Sequence, residues 1–354
     1  MSTPAASIPP AHGPVPTQRI AVIGLGRMGK LFLRAAFDAA AEGRGIGEIV
    51  LVSDRDGTAA DHAHLLEFDT VQRQWSPCWA EGDTIHAGGG AMRFVRAGSV
   101  EDLPLDGIDL VVECTGARKD AGALQPYWDA GVPRALVSAP VKDGGALNIA
   151  YGVNHGLYDP AQHRLVTAAS CTTNCLAPVV KVLHEAFGIR HGSFTTIHDV
   201  TNTQVIVDRW HKDLRRARGA TAALIPTTSG SAKAIGAIFP ELNGRLHGHA
   251  VRVPLTTGSL TDCAFELARE ADGEEINAAF RAAATDGPLA GILGLEDRPL
   301  VSTDFCGDAR SAIVDGPSTF VIGGTQAKIY AWYDNEWGYV NRMVDIARMM
   351  GAGR

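Results

Sequence analysis

Ile20-Ala21-Val22-Ile23-Gly24-Leu25-Gly26-Arg27-Met28-Gly29 is the stretch on which the fold turns. Four apolar residues read as a short buried strand. Gly-x-Gly-x-x-Gly follows, and then a helical pattern to about Ala41. A lone Gly-x-Gly-x-x-Gly is common, but here a strand precedes it and a helix follows. In that context Gly24, Gly26 and Gly29 permit a tight turn and a close backbone approach. The helix N-terminus at Arg27 and Met28 then faces a pyrophosphate.

The chain continues in the same rhythm. Ile49-Val50-Leu51-Val52-Ser53 is a second strand, ending at Asp54. An acidic residue there suits the ribose hydroxyls of a dinucleotide; the plainer reading is a turn residue before Gly57. Leu110 to Glu113 is a third strand, closing on Cys114-Thr115-Gly116, and Ala135 to Ser138 is a fourth. Strands that alternate with helices predict an α/β domain with a Rossmann-type, doubly wound parallel sheet. Its ligand belongs at the carboxyl ends of the strands. Gly24, Asp54, Thr115, Ser138 and Cys171 all fall at such ends. Residues 56–106 give no clear pattern.

Leu165 to Ala169 leads into Ser170-Cys171-Thr172-Thr173-Asn174-Cys175, with a helical segment, Leu176 to Phe187, beyond. Cys171 thus stands where a strand gives way to a helix. Unpaired N–H groups and the positive helix end favour a thiolate there, and the thiolate is the nucleophile. A buried cysteine is ordinarily a small core hydrophobe. Three hydroxyls and an amide around one sulfur suit an anion site better.

Beyond Cys171 the pattern changes. Ser193 to His198 reads as a strand, followed by a polar and basic loop, Asp199 to Arg218. Runs at 251–253, 260–267, 319–322 and 328–333 alternate like strands of an antiparallel sheet. This half is expected to be an α+β catalytic domain, residues 171–334. The nucleotide-binding domain takes residues 18–170 and is completed by a C-terminal helix over 335–354. Residues 1–17, rich in Pro and Ala, read as a disordered tail rather than a signal peptide.

The composition fits this division. A chain of 354 residues with 45% hydrophobic content suits two soluble domains. A net charge of −7 argues against a general nucleic-acid-binding surface, and no apolar run is long enough to span a bilayer. The six cysteines, at 78, 114, 171, 175, 263 and 306, form no Cys-x-x-Cys and no zinc pair, so no metal is expected. The thiols read as free and the location as a reducing cytoplasm.

Ser-Cys-Thr-Thr-Asn-Cys resembles the active-site signature of phosphorylating glyceraldehyde-3-phosphate dehydrogenases. The resemblance runs from about Arg19 to Met350. It is close again at Tyr333-Asp334-Asn335-Glu336-Trp337-Gly338-Tyr339 and looser over 56–106. It implies oxidation of glyceraldehyde 3-phosphate through a Cys171 thioester, with NAD as hydride acceptor and release to inorganic phosphate. Sequence alone favours reading His198 as a surface histidine satisfied by Asp199. The resemblance makes it the base that holds Cys171 as thiolate and takes the proton as the hydride leaves. The family commonly has a small neutral residue at 199, and a carboxylate there is expected to raise the His198 pKa.

The resemblance also implies two anion sites. Arginine grips phosphate in a bidentate fork, although an arbitrary arginine is solvated surface. Thr201, Thr203 and Arg252 are assigned to the substrate phosphate. Ser170, Arg216, Ser229 and Gly230 are assigned to the attacking anion, with Thr172 beside Cys171. Asn335 is assigned to the nicotinamide amide, and Thr115, Gly116, Ser138 and Tyr339 to the cofactor. A homotetramer follows from the same resemblance.

Several positions depart from the family pattern. Gly24 is followed by Leu25, the family's Asp-Ser-x-His-Gly becomes Asp69-Thr70-Val71-Gln72-Arg73, and Arg209-Trp210 stands before His211-Lys212-Asp213. They leave NADP open beside NAD. The stretch His198 to Asn202 resembles paralogues found beside an arsenate-resistance exporter, which implies arsenate in place of phosphate. Erythrose 4-phosphate is a further candidate substrate. A non-catalytic nucleotide-binding module is the alternative from another class, although a pure binder has no need of a thiolate.

Overall fold

The computed structural model describes residues 15–141, 143 and 145–352. Most of the expected tail, residues 1–14, lies outside them. Of its end, residues 15–17, Pro16 is buried. The described residues form two compact units, 15–170 with 339–352, and 171–338.

The first unit opens with β1 (Arg19–Ile23), α1 (Arg27–Ala41) and β2 (Glu48–Asp54). Next come α2 (Ala59–Glu67), β3 (Trp79–Glu81), β4 (Thr84–Ala87), β5 (Gly90–Arg96) and β6 (Leu110–Glu113). It closes with α3 (Ala121–Asp129), β7 (Ala135–Val137), β8 (Ala146–Asn148) and β9 (Leu165–Thr167). They make a nine-stranded sheet in the order β3-β4-β5-β2-β1-β6-β7-β9-β8. Strand β1 pairs in parallel with β2 on one side and β6 on the other, so the order reverses there and opens a crevice at the strand ends. Ile20 to Val22 and Leu110 to Val112 are fully buried, as strands covered on both faces must be.

Residues 56–106 supply what the sequence left unread. They build α2 and the antiparallel strands β3 and β4, paired onward to β5, at one edge of an otherwise parallel sheet. These strands are short and alternate in exposure, so they carry no long apolar run.

The second unit begins with α4 (Cys171–Phe187), β10 (Ile189–His198), β11 (Ile225–Thr228) and α5 (Ser231–Ile238). Then come β12 (Leu246–Arg252), β13 (Ser259–Leu267), α6 (Gly273–Thr285), β14 (Leu293–Glu296) and β15 (Ala312–Asp315). The last elements are β16 (Phe320–Ile322), β17 (Gln326–Tyr333) and α7 (Trp337–Ala352). The sheet order is β11-β12-β10-β13-β17-β15-β14, with β16 paired to β17. It is mainly antiparallel; β10–β12 and β14–β15 are the parallel pairs. Helix α4 is buried along most of its length, which explains why so apolar a segment forms a helix with Pro178 inside it. From Tyr339 onward α7 belongs to the first unit. Gln18 Nε2 donates to the carbonyls of Ile46 at 2.6 Å and Ala347 at 2.9 Å, and Arg348 Nη1 donates to Gly45 O at 2.9 Å.

Candidate active site

Cys171 is the first residue of α4. The turn before it is tight: Ala169 holds a left-handed φ of 51°, and the Tyr339 hydroxyl donates to its carbonyl at 3.4 Å. Strain of this kind gathers where a structure over-determines a functional turn.

The register of β10 against β12 places His198 opposite Arg252, both at their strand ends. Paired residues share a face, so the two side chains meet. Arg252 Nη1 donates to the Asp199 backbone carbonyl at 2.9 Å and lies 2.5 Å from His198 Nδ1. Sγ of Cys171 stands 3.4 Å from His198 Nε2. His198 is 3% exposed, not a surface residue. Its Nδ1 lies 2.8 Å from Asp199 Oδ1, and its ring meets Tyr333 edge-on at 6.0 Å between centroids. Burial pulls the His198 pKa down. Cys171 and the Asp199 hydrogen bond outweigh it and raise the value to about 9.

The other thiols differ in kind. Burial pushes Cys114 and Cys175 up to about 12 and Cys78 up to about 11. All six cysteines are free. Among the described residues no cluster of His, Cys, Asp or Glu could hold a metal ion.

A second cation lies nearby. Arg216 Nη2 and Nε donate to Thr227 Oγ1 on β11 at 2.7 and 3.0 Å. Two residues on, Ser229 Oγ accepts from Ser231 N at 3.3 Å, and Gly230 opens α5 with no side-chain cap. Thr201 and Thr203 hydroxyls lie 3.0 Å apart, each within reach of Gln204 Oε1. Thr172 is turned inward: its hydroxyl meets that of Tyr333 at 3.1 Å. Ser170 is half-buried just before Cys171. Asn335 is buried, its Oδ1 accepting from Thr257 at 3.4 Å. Thr227, Tyr333 and Ser259 were not singled out from sequence. Tyr333 and Thr227 lie within motifs of the family resemblance, Tyr333–Tyr339 and Pro226–Gly230; Ser259 lies in neither.

In the first unit, Gly24 has φ +94°, and a Cβ on it would fall 2.6 Å from Thr115 N. A Cβ on Gly29 would strike the Gly24 carbonyl. Gly26 caps α1 with no side chain, and space beside it is open. An uncapped helix start with open space beside it is the kind of place where helix N–H groups receive an anion. The Arg27 guanidinium itself forms a bidentate pair with Asp69. Asp54 accepts from Leu25 N at 2.7 Å and from Asp56 N at 3.2 Å. Glu113 is buried: it accepts from Thr115 N at 2.8 Å, Tyr127 Oη at 2.6 Å and Arg118 Nη1 at 3.1 Å. This network fixes Thr115 and, beyond it, Gly116. Ser138 N donates to the Glu113 carbonyl at 3.0 Å. An open cradle with a fixed acidic residue at its edge fits a dinucleotide.

The fold and the dinucleotide cradle define a class, the dehydrogenases that bind a nicotinamide dinucleotide. Residues 18–121 match the family model of the glyceraldehyde 3-phosphate dehydrogenase NAD-binding domain, and residues 170–335 that of its C-terminal domain. The chain belongs to the glyceraldehyde-3-phosphate dehydrogenase family. It is 55% identical over 333 residues to glyceraldehyde-3-phosphate dehydrogenase 3 of Nostoc sp., covering 93% of this chain and 97% of that one. It is 44% identical over 338 residues to the Streptomyces coelicolor glyceraldehyde-3-phosphate dehydrogenase, covering 95% and 99%.

Proposed function

We propose that the chain is a phosphorylating, NAD-dependent glyceraldehyde-3-phosphate dehydrogenase. The observation that carries this reading is the Cys171–His198 contact at 3.4 Å, with Arg252 against the His198 ring. Cys171 Sγ attacks the aldehyde carbon and forms a hemithioacetal. His198 Nε2 takes the hydroxyl proton as the carbon is oxidised to a thioester. When bound, NAD would supply the hydride acceptor; Gly26, Arg27 and Met28 would hold its pyrophosphate and Asp54 its ribose. Arg252, Thr201 and Thr203 hold the substrate phosphate. Arg216, Ser229 and Gly230 hold the inorganic anion, which attacks the thioester carbonyl, and the C–S bond breaks to return the thiolate and an acyl phosphate.

Arsenate has the charge and tetrahedral shape of phosphate and fits the same donors. A role in arsenate resistance is supported only by the resemblance of the His198–Asn202 stretch. Cytoplasmic placement is supported by the free thiols. A homotetramer is supported by an exposed apolar patch on the loop after β10, with Ile206, Val207, Trp210 and Leu214 each at least 75% exposed. The test is NADH formation from glyceraldehyde 3-phosphate with phosphate or arsenate titrated in turn. Sustained reduction, beyond one NADH per site, that needs neither anion overturns the phosphorylating assignment.

A further inference from the structure

Strand β10 ends at His198, and the chain turns so that the next side chain folds back onto the ring. Asp199 is wholly buried. Its Oδ1 lies 2.8 Å from His198 Nδ1 and accepts from Ser259 Oγ at 3.2 Å; its own N–H donates to that Oγ at 3.3 Å. Its Oδ2 is buried without a hydrogen-bond partner, an arrangement that needs explaining. A buried carboxylate in this state calls for a cation, and His198 is the one it touches.

The structure assigns Asp199 as a positioning residue: it completes a Cys171–His198–Asp199 relay that aims Nε2 at the sulfur and keeps a proton on Nδ1. This inference rests on the thiolate reading of Cys171. The opposing influences are close at hand. Arg252 stands 2.5 Å from Nδ1 and works against a charged ring, as does burial. Cys171 and Asp199 work for it, and Tyr333 presents only its ring edge. Asp199 in turn faces His198, Arg252 and Asp334. Burial raises its carboxyl pKa, while hydrogen bonding and the charge of His198 pull it back. With the carboxylate in place, the Nδ1 proton survives beside the guanidinium and Nε2–H can support a thiolate. Once sulfur bonds to carbon its charge is gone. Nε2–H gives its proton to the alkoxide formed on the substrate, and the neutral Nε2 left behind is the acceptor that oxidation of the hemithioacetal requires.

The test compares Asp199→Asn, Asp199→Ala and Ser259→Ala with the native protein. Histidine ring NMR follows the His198 titration, and iodoacetamide capture of Cys171 is timed at pH 7. The native ring is expected to titrate at about 9. Both Asp199 variants move it down by about one unit or more and slow capture roughly tenfold. Ser259→Ala perturbs the same packing but keeps the charge, so its titration stays near the native one. The proposal is overturned if the Asp199 variants titrate like the native protein, or if Ser259→Ala moves the ring as far as they do. Should Asp199→Ala not fold, Asp199→Asn decides alone, because it keeps the shape. The titration needs no turnover, so it can fail while the catalytic reading stands.

Discussion

Arg216 is held by Thr227: both Nε and Nη2 of its guanidinium donate to the one hydroxyl on β11, leaving Nη1 unused in that contact. The Asp213 carboxylate, 3.6 Å from Nε, is a looser anchor. The fork is therefore fixed before any anion arrives, which lowers the ordering cost of binding. Replacing Thr227 by Val removes the hydroxyl at nearly constant volume. Thr227→Val is expected to raise KM for phosphate by roughly tenfold, equivalent to about 1.4 kcal/mol. The first-turnover burst of NADH should change little. A stopped-flow trace in which the burst falls as much as the steady rate contradicts the assignment of Arg216 to the attacking anion.

Arg252 is assigned to the substrate phosphate. Loss of a charge-assisted contact costs about 1.5–3 kcal/mol, or roughly ten- to a hundredfold. Arg252→Ala should raise KM for glyceraldehyde 3-phosphate by that order and affect unphosphorylated glyceraldehyde much less. Equal damage to both substrates would show that Arg252 acts on His198, which it also touches, and not on the phosphate.

Folding stability should depend on pH through His198. Its folded pKa, about 9, lies above the ordinary 6.5. The folded state therefore binds the proton more tightly than the unfolded chain. The stabilisation is fully present below about pH 6.5 and is lost as pH rises through about 9. Urea unfolding of the native protein should lose on the order of 1–3 kcal/mol across that window. His198→Gln should show a flatter profile there; parallel profiles would contradict the linkage.

Asp54 bears on the choice of dinucleotide. Two backbone N–H groups fix its carboxylate at the end of β2, where it repels a 2′-phosphate. The native enzyme should prefer NAD by kcat/KM, and Asp54→Ala should narrow the NAD-to-NADP ratio by roughly tenfold. An unchanged ratio would assign the selectivity elsewhere.

Much of this was legible in the sequence, for physical reasons. Ile20–Ile23 and 110–112 are continuous apolar runs because parallel strands are covered on both faces. The Cys171 turn could be read because a strand, a hydroxyl cluster and a helix abut there. Strands β3 and β4 could not, since short half-exposed edge strands lack a long periodic pattern. Strands β14 and β15 are only four residues each. Asp199 looked like the surface partner of a surface histidine, because charged side chains at a strand end are mostly solvated. The strand stops at His198, and only the turn brings both side chains into one buried contact. Thr227 was invisible as a support because its partner, Arg216, lies eleven residues away across a loop.

The central claim is that Cys171 is the covalent nucleophile. The direct measurement is peptide mapping after limited iodoacetamide treatment near neutral pH, with turnover followed in the same samples. Cys171 should be modified first, and activity should fall in proportion to its labelling. Cys78, Cys114 and Cys175 should lag, held as thiols by burial. Activity that persists after Cys171 is fully alkylated, or is lost in step with labelling of Cys175 or Cys306 instead, would contradict the account.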